Sequence, residues 1–192
     1  GGWFRKEIKT VNDLKGLKMR IAGMAGAVLQ KVGVVPQQIS GAGIYPALEK
    51  GTIDAAEWVG PYDDHKLGFN KVAKYYYYPG WWEGGPQISL YVNTKKWAEL
   101  PKEYQAACPA AAADAHTEMR CRYDAKNPPA LKELIAAGVQ LRPFPKEVMD
   151  VCYKATMDLY AELSAKYPDF KKVYEDYKKF LDDQNFWYKV AE

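Results

Sequence analysis

An arginine in the first half of the chain has the chemistry to bind a small anion. Arg20 lies in an apolar run, between Met19 and Ile21. Its planar guanidinium can donate two parallel hydrogen bonds to a carboxylate and does not lose its charge. The other role for such an arginine is an ion pair with a nearby acid at the edge of a sheet. The sequence leaves these two roles open.

Two glutamates offer oxygen ligands for a cation. Glu57 lies in the predicted strand over residues 53–59, directly after its apolar part, and Trp58 and a Gly-Pro turn follow it. The end of a strand before such a turn is where α/β folds place ligand contacts. Glu83 follows a dense aromatic run over residues 75–82. With backbone carbonyl groups, these carboxylates can bind a cation that offsets their repulsion of an anionic ligand. The competing interpretation of Glu57 is a surface acid beside a core tryptophan.

The sequence lacks the motifs of common enzyme classes. It has no nucleophile elbow, no phosphate-binding loop, no zinc-protease helix motif and no dinucleotide-binding glycine motif. Asp63, Asp64 and His65 fall in the first turn of a predicted helix, where capping is favoured over acid–base chemistry. The enzyme hypothesis therefore depends on Glu57 and Glu83 as an acid–base pair.

Composition narrows the class of protein further. The net charge is +3 and the basic residues are dispersed, which does not favour a nucleic-acid partner. No run of about 18 apolar residues predicts a membrane span. The chain begins at Gly1 without a methionine, as expected for the middle of a longer protein, so the lack of a leader does not indicate a compartment.

The cysteines do not form a metal motif. Cys108, Cys121 and Cys152 include no CxxC pair, and His65 and His116 are far apart, which argues against zinc. We expect three small buried or half-buried side chains on helices. One disulfide is the alternative.

The pattern of elements predicts an α/β fold with a helical second half. Short strands and helices alternate up to about residue 93, which indicates a largely parallel sheet. Pro109 predicts a kink or break in a helix over residues 101–126, and Pro128 and Pro129 predict the start of another. The predicted strands cover residues 18–22, 37–40, 53–59, 75–78, 87–93 and 139–144, and the predicted helices cover 27–32, 45–50, 61–73, 101–126, 130–137, 145–167 and 168–190. A chain that crosses between two lobes and back would give this layout and a ligand cleft.

Several long blocks resemble one family of receptors. They are GGWFRKEI, DLKGLKMRIAG, GIYPALEKGTIDAAEWVGPYDD, KVAKYYYYPGWWE and QISLYVNTKKW. These blocks resemble the extracytoplasmic solute receptors of TRAP transporters, of the DctP type. The likeness is closest to the branch that binds 2-oxo acids or lactate with a metal ion, and it covers essentially the whole chain.

The resemblance implies a two-lobed, periplasmic-binding-protein-like α/β fold with a long helix that spans both lobes. The chain looks like the C-terminal portion, with the N-terminal lobe largely missing. Residues 1–85 would form an α/β segment of the second lobe. Residues 86–126 would form a crossing strand and the long helix, belonging to or spanning towards the first lobe. Residues 127–192 would return to the second lobe and end in helices.

The resemblance also implies roles for individual residues. Arg20 matches the arginine that clamps the ligand carboxylate, and Glu57 matches a side-chain metal ligand next to the substrate. Trp58 would supply a backbone carbonyl to the metal and a wall to the substrate. Glu83 falls where another oxygen ligand is placed. The metal is sodium or calcium, and the sequence does not choose between them.

The implied protein is a periplasmic receptor that binds a small carboxylate, such as pyruvate or lactate, and delivers it to TRAP membrane subunits. It is expected not to be an enzyme. A ligand-sensing receptor of the same fold is the alternative, and a homodimer is an open possibility. Two places depart from the family pattern, namely Pro109 in the long helix and the turn over residues 84–86.

Overall fold

The computed structural model describes residues 1–191 of the chain as an α/β protein. Within these residues, no helix has both the length and the apolar run that crossing a bilayer requires. The strands are β1 (Gly2–Phe4), β2 (Lys18–Arg20), β3 (Val35–Gln37), β4 (Ala55–Ala56), β5 (Tyr75–Tyr78) and β6 (Gln140–Pro143). The α-helices are α1 (Gly23–Lys31), α2 (Gly41–Lys50), α3 (Pro61–Leu67), α4 (Thr94–Glu99), α5 (Lys102–Ala136), α6 (Lys146–Lys166) and α7 (Pro168–Ala191).

The chain forms two compact units, each built from separate segments. The first unit contains residues 1–7, 18–21 and 37–144. The second contains residues 8–17 and 22–36, together with the chain from Pro145 to the end of the described residues. Every residue that the sequence predicts for the ligand and cation site lies in the first unit.

The sheet of the first unit is mixed rather than parallel. Its strands follow the order β2-β4-β1-β5-β6. The β2–β4 and β5–β6 pairs are parallel, but β1 is antiparallel to both β4 and β5. The prediction of a largely parallel sheet is therefore wrong at its centre. A strand of three residues is too short to show a period-2 pattern, so β1 gave no signal in the sequence.

Aromatic packing on β1 forms the core of the first unit. The Trp3 ring stacks on the Tyr76 ring of β5, with centroids 4.2 Å apart, and its edge meets Phe69. Aromatic side chains of this size dominate the apolar area buried in a small domain. The buried cluster comprises Trp3, Ile44, Leu48, Ile53, Ala56, Phe69, Ala73, Tyr76, Leu134 and Val139.

Glycine and proline set the helix ends near the site. The helix α2 ends at Lys50, as the helix predicted over residues 45–50 does, and Gly51 follows it with a φ of 71°, the left-handed conformation that favours glycine at a helix C-terminus. The helix α3 begins with Pro61 in its first turn and ends at Gly68, with φ of 72°. It is therefore shorter than the helix predicted over residues 61–73, because a left-handed glycine interrupts that range.

The strand predicted over residues 87–93 is absent from the described chain. Its apolar side chains Ile88, Leu90, Tyr91 and Val92 are exposed. The composition favours a strand, but a strand forms only where a neighbour accepts its backbone hydrogen bonds. No described strand lies beside this segment.

The helix α5 continues through three prolines. Its 35 residues include Pro109, Pro128 and Pro129, so a break at Pro109 and a helix start at Pro128-Pro129 are both wrong, and the alternative of a kink at Pro109 stays a prediction. At about 1.5 Å per residue the helix is roughly 52 Å long. Each proline removes one backbone donor, but the alanine-rich run before Met119 has high helix propensity. Buried Ala130 and Leu134 anchor the last turns.

The second unit is mainly helical. The helix α1 packs on α6, where Val28 and Leu29 are buried together with Val148, Cys152, Ala155 and Leu159. The helices predicted over residues 145–167 and 168–190 are confirmed as α6 and α7. All three cysteines are free thiols, and Cys121 is exposed, so the prediction of three buried or half-buried cysteines is wrong for that residue.

Candidate functional site

Arg20 ends β2, opposite Ala56 of the parallel strand β4. Its Nη1 donates to the Glu57 carbonyl at 2.8 Å and to the Glu57 Oε2 at 2.7 Å, and its Nε donates to the Ile39 carbonyl at 3.2 Å. Its side chain is 16% exposed. Within residues 1–191, Nη2 has no hydrogen-bond partner. The ion pair that the sequence left open is therefore present, and one nitrogen of the same guanidinium can still bind a carboxylate.

Glu57 follows β4 directly, and its amide donates to the Arg20 carbonyl at 3.0 Å. Its Oε2 is occupied by Arg20, whereas Oε1 accepts no hydrogen bond from any described residue. Burial raises the pKa of the Glu57 carboxyl; Arg20 opposes this shift, and Glu83 and Asp64 reinforce it. A cation at Oε1 would favour the ionised form that burial disfavours.

Trp58 places an aromatic face and a backbone oxygen next to Glu57. The Arg20 guanidinium carbon lies 5.1 Å from the centre of the Trp58 ring, within the range of a cation–π contact. A Cβ at Gly41 would lie 2.7 Å from that ring, so the start of α2 requires glycine for the indole to fit. The Trp58 carbonyl accepts no hydrogen bond from the described residues and is available to a ligand.

Glu57, Trp58 and Glu83 line one cavity of about 190 Å³ in the first unit. The Glu83 amide donates to the Gly80 carbonyl at 3.3 Å in the turn after β5. The Glu83 carboxylate makes no ion pair with the described residues. The cavity thus brings together three of the four predicted site residues, whereas Arg20 contacts Glu57 and Trp58 but does not line the cavity.

The donors at this cavity are all oxygens. Asp64 and Tyr76 also line the cavity but are hydrogen-bonded to each other, which leaves the Glu57 and Glu83 carboxylates and the Trp58 carbonyl, a set that suits hard cations such as sodium and calcium. In the described part of the chain, no three side chains from His, Cys, Asp and Glu are grouped closely enough to hold a metal by themselves. A cation here would therefore need the backbone oxygen and further oxygen ligands.

Asp64 is the main residue that sequence reasoning missed at this site. It was assigned a capping role, and its Oδ1 does accept the amides of Val59 at 3.2 Å and Gly60 at 3.1 Å. Its Oδ2 also accepts from Trp3 Nε1 at 2.8 Å and from the Tyr76 hydroxyl at 3.0 Å. Those partners are 61 and 12 residues away, so only the fold could show them.

A second, larger cavity of about 350 Å³ lies between α3 and α5. Here Lys126 donates to the Tyr62 hydroxyl at 3.0 Å, and the Lys66 ammonium lies 3.9 Å from the Tyr62 ring centre. These two lysines lower the pKa of Tyr62 to about 8, with the Lys126 hydrogen bond as the larger cause. None of the predicted site residues lines this cavity, and Arg122 is already paired with Glu118.

The fold is that of periplasmic solute-binding proteins of TRAP transporters. A solved structure from Bordetella bronchiseptica RB50 is 60% identical, has a TM-score of 0.97 and is matched over 100% of this chain and 57% of its own. It is a mixed-occupancy dimer, with copurified calcium and picolinate in one active site and an apo second site. A structure from Pseudoalteromonas atlantica T6c, with bound sodium and pyruvate, is 41% identical with a TM-score of 0.87, over 100% of this chain and 58% of its own.

The family model for the bacterial extracellular solute-binding proteins of family 7, DctP, matches residues 1–166. The chain therefore belongs to this family. A curated relative from Nostoc sp. (strain PCC 7120) is a monocarboxylate 2-oxoacid-binding periplasmic protein and is 50% identical over 192 residues, which are 100% of this chain and 53% of the relative. The chain thus spans about half the length of the relatives it matches. The resemblance and the fold class inferred from the sequence are confirmed.

Proposed function

We propose that this chain is the C-terminal portion of a TRAP-transporter receptor for a small 2-oxo or 2-hydroxy monocarboxylate such as pyruvate or lactate. The observation that carries the proposal is the Arg20 guanidinium. Ile39 and Glu57 hold it, it lies against Trp58, and its Nη2 is unpaired within the described residues. A carboxylate oxygen at Nη2 would complete the donor's hydrogen bonding in a half-buried, low-dielectric position, where charge-assisted bonds are strong.

A cation completes the proposed site. Glu57 Oε1, the Trp58 carbonyl and the Glu83 carboxylate would hold sodium or calcium, and the bound ion would neutralise the acids beside an anionic ligand. The support is the presence of two glutamates and Trp58 in the lining of one cavity, together with the calcium and sodium bound by the two similar solved structures. Because Oε2 of Glu57 stays with Arg20, this one carboxylate would link the cation to the arginine.

The proposed role is capture and delivery, without a chemical step. The protein would act in the periplasm and present its ligand to TRAP membrane subunits. Family membership and the periplasmic relative support this location. Glu57 is already engaged with Arg20, which disfavours its use as one of an acid–base pair.

The proposed lobe boundaries are residues 1–85, 86–126 and 127–192, as inferred from the sequence. The exposed apolar side chains over residues 87–93 support a role for this segment in packing against further chain. The first two thirds of α5 are also largely exposed, although rich in alanine. The additional length of the relatives would supply the other side of the ligand cleft.

A homodimer forms part of the proposal. The helix α7 exposes apolar side chains in a 4-3 spacing typical of helix pairing, at Val173, Tyr177, Phe180 and Trp187, with Gln184 completing the stripe. The similar protein from Bordetella bronchiseptica was crystallised as a dimer. An exposed stripe of this kind is costly in water and favours burial against a partner helix.

Titration calorimetry on the full-length receptor that carries this chain tests the proposal. Pyruvate added in the presence of calcium should bind with one-to-one stoichiometry, and removal of both calcium and sodium should weaken that binding. The absence of heat with pyruvate and lactate would contradict the proposed ligand class. Conversion of pyruvate, followed by NMR over hours, would instead support the enzyme hypothesis.

A further inference from the structure

Asp64 is the one charged side chain that is fully buried within residues 1–191, with 2% of its surface exposed. No lysine, arginine or histidine pairs with it. Its charge is instead met by four hydrogen-bond donors, namely two backbone amides, an indole N–H and a phenol. A buried carboxylate needs such a complete set, because an unpaired one is strongly destabilising.

The two oxygens of Asp64 bind two different parts of the first unit. Oδ1 accepts both amides of the turn that follows Trp58, at Val59 and Gly60. Oδ2 accepts from Trp3 on β1 and Tyr76 on β5, whose rings are stacked in the core. One carboxylate therefore joins the turn over residues 57–60 to two adjacent strands of the sheet.

This arrangement goes beyond helix capping. A first-turn acid needs only one oxygen for its cap, and the neighbouring Asp63 shows the ordinary surface role, accepting from the Tyr123 hydroxyl at 2.7 Å. The second oxygen of Asp64 and its two buried donors have no part in ending a helix. The bonds from this oxygen to Trp3 and Tyr76 are explained if Asp64 fixes the turn over residues 57–60 to the sheet.

We infer that Asp64 is a positioning residue for the cation site: it fixes the turn that carries the Glu57 carboxylate and the Trp58 carbonyl, and so sets their affinity for the ion. This inference rests on the proposed function. Asp64 also lines the cavity, but both of its oxygens already accept hydrogen bonds from the protein. It therefore acts on the site through the backbone amides of residues 59 and 60, from which it accepts directly. Groups that orient metal ligands in this way typically alter affinity about 10- to 100-fold when they are removed.

Asp64→Asn in the full-length receptor tests the inference, because the amide keeps the shape of the side chain. An amide oxygen can still accept from the turn, but its nitrogen would face the Trp3 indole N–H, which can only donate. We expect calcium affinity to fall about 10- to 100-fold. The matched control is Asp63→Asn, which makes the same charge change one residue away and should leave calcium affinity unaltered.

A second variant keeps the inference testable if Asp64→Asn folds poorly. Tyr76→Phe removes one donor to Oδ2 while keeping the ring that stacks on Trp3, and it changes no charge. It should lower calcium affinity in the same direction by a smaller factor. Ile53→Val, in the same buried cluster, serves as a control for general loss of stability and should leave calcium affinity as in the parent.

Two readouts separate positioning from a purely structural role. Hydrogen exchange of the Val59 and Gly60 amides should speed up in Asp64→Asn and Tyr76→Phe, but not in Ile53→Val. Pyruvate affinity lost in these variants should be restored by raising calcium, because the defect lies in the ligands of the cation and the two sites are linked.

The parent receptor separates failure of this inference from failure of the proposed function. If the parent binds no calcium and no pyruvate, the proposed function is wrong. If the parent binds both, and folded Asp64→Asn and Tyr76→Phe bind calcium as tightly as Asp63→Asn, the positioning role is wrong. Loss of calcium affinity in Ile53→Val to the same extent would also overturn it.

Discussion

Two nitrogens of the Arg20 guanidinium donate to the protein, and the third can donate to a ligand. Nε and Nη1 bind Ile39 and Glu57, and Nη2 is unpaired within the described residues. The ion pair with Glu57 holds the fork in place, so little side-chain entropy is lost when a ligand binds. The ion pair and a carboxylate bond are therefore compatible, but through Nη2 alone, because the two parallel bonds that the sequence suggested would need a nitrogen that Ile39 or Glu57 already occupies.

Replacement of Arg20 should weaken ligand binding. Arg20→Ala in the full-length receptor should weaken pyruvate binding by about 30- to several-thousand-fold, which corresponds to the loss of one partner of a buried charge pair. Arg20→Lys should recover only part of that affinity, because an ammonium keeps the charge but cannot bond Ile39 and Glu57 and still present a fixed donor to the ligand. Calorimetry of the three proteins measures the effect.

The same change should also lower the free energy of unfolding. The contact with Glu57 shows that Arg20 supports local structure, so we expect Arg20→Ala to cost about 1–3 kcal/mol, discounted for the partial exposure of both side chains. The control is Arg142→Ala on β6, which breaks a more exposed ion pair with Glu7 and should leave pyruvate affinity unchanged. Equal pyruvate affinity in Arg20→Lys and the parent would contradict the proposed clamp.

Tyr62 should titrate below the usual range of a tyrosine, because its pKa is lowered to about 8. The ammonium groups of Lys126 and Lys66 stabilise its phenolate, so absorbance at the phenolate band should show one group with a midpoint at about 8. Tyr62→Phe should remove that step, and Lys126→Met should move it to higher pH, because the larger stabilising contact is lost. An unchanged step in Lys126→Met would contradict the hydrogen bond between these side chains.

Site residues that are recognised from their immediate neighbours in the sequence were predictable. Arg20, Glu57 and Glu83 drew notice because charges stood beside apolar or aromatic runs, and that signal needs no tertiary structure. Asp64 and Trp3 could not be paired in advance, because their contact joins positions 61 residues apart. The roles given to the first three residues stay predictions, although three of the four predicted site residues line one cavity.

Among the elements, two helix ends near the site were predictable, whereas the end of α3 and the continuity of α5 were not. Gly51 ended α2 and Pro61 began α3 as expected, because both residues act through their own backbone angles. The central strand β1 and the exposed segment over residues 87–93 were both misjudged. Whether a short segment becomes a strand depends on its neighbours in the sheet, which local composition does not report.

Charge on the exposed stripe of α7 should shift the oligomeric state. Phe180→Lys would place an ammonium group in the proposed helix pair, so the full-length receptor should change from dimer to monomer in light scattering coupled to gel filtration. Lys179→Glu, a charge change at the adjacent position outside the stripe, is the control and should stay dimeric. A parent that is monomeric at high concentration would contradict the proposed dimer.

At the scale of the whole molecule, the chain spans about half the length of its relatives, and its site residues all lie in one of its two units. Small-molecule sites usually bury most of the ligand surface. A ligand bound at a cavity of the first unit would stay partly exposed until another part of the full-length receptor covered it. We therefore expect that the first unit provides the contacts to the cation and the carboxylate, and that the rest of the full-length receptor is needed to complete the site.

The 192-residue chain alone should bind pyruvate at least about 100-fold more weakly than the full-length receptor, since contacts worth roughly 3 kcal/mol would be absent. Calorimetry of both proteins in calcium measures the difference, with circular dichroism to show that the shorter chain is folded. Equal affinity in the two proteins would mean that the first unit holds the complete site.

The most direct test of the central claim is a crystal structure of the full-length receptor grown with calcium and pyruvate. The account predicts the pyruvate carboxylate within hydrogen-bonding distance of Arg20 Nη2, and calcium coordinated by the Glu57 carboxylate, the Trp58 carbonyl and the Glu83 carboxylate. Pyruvate bound away from Arg20, or calcium on a set of ligands without Glu57 and Trp58, would contradict it.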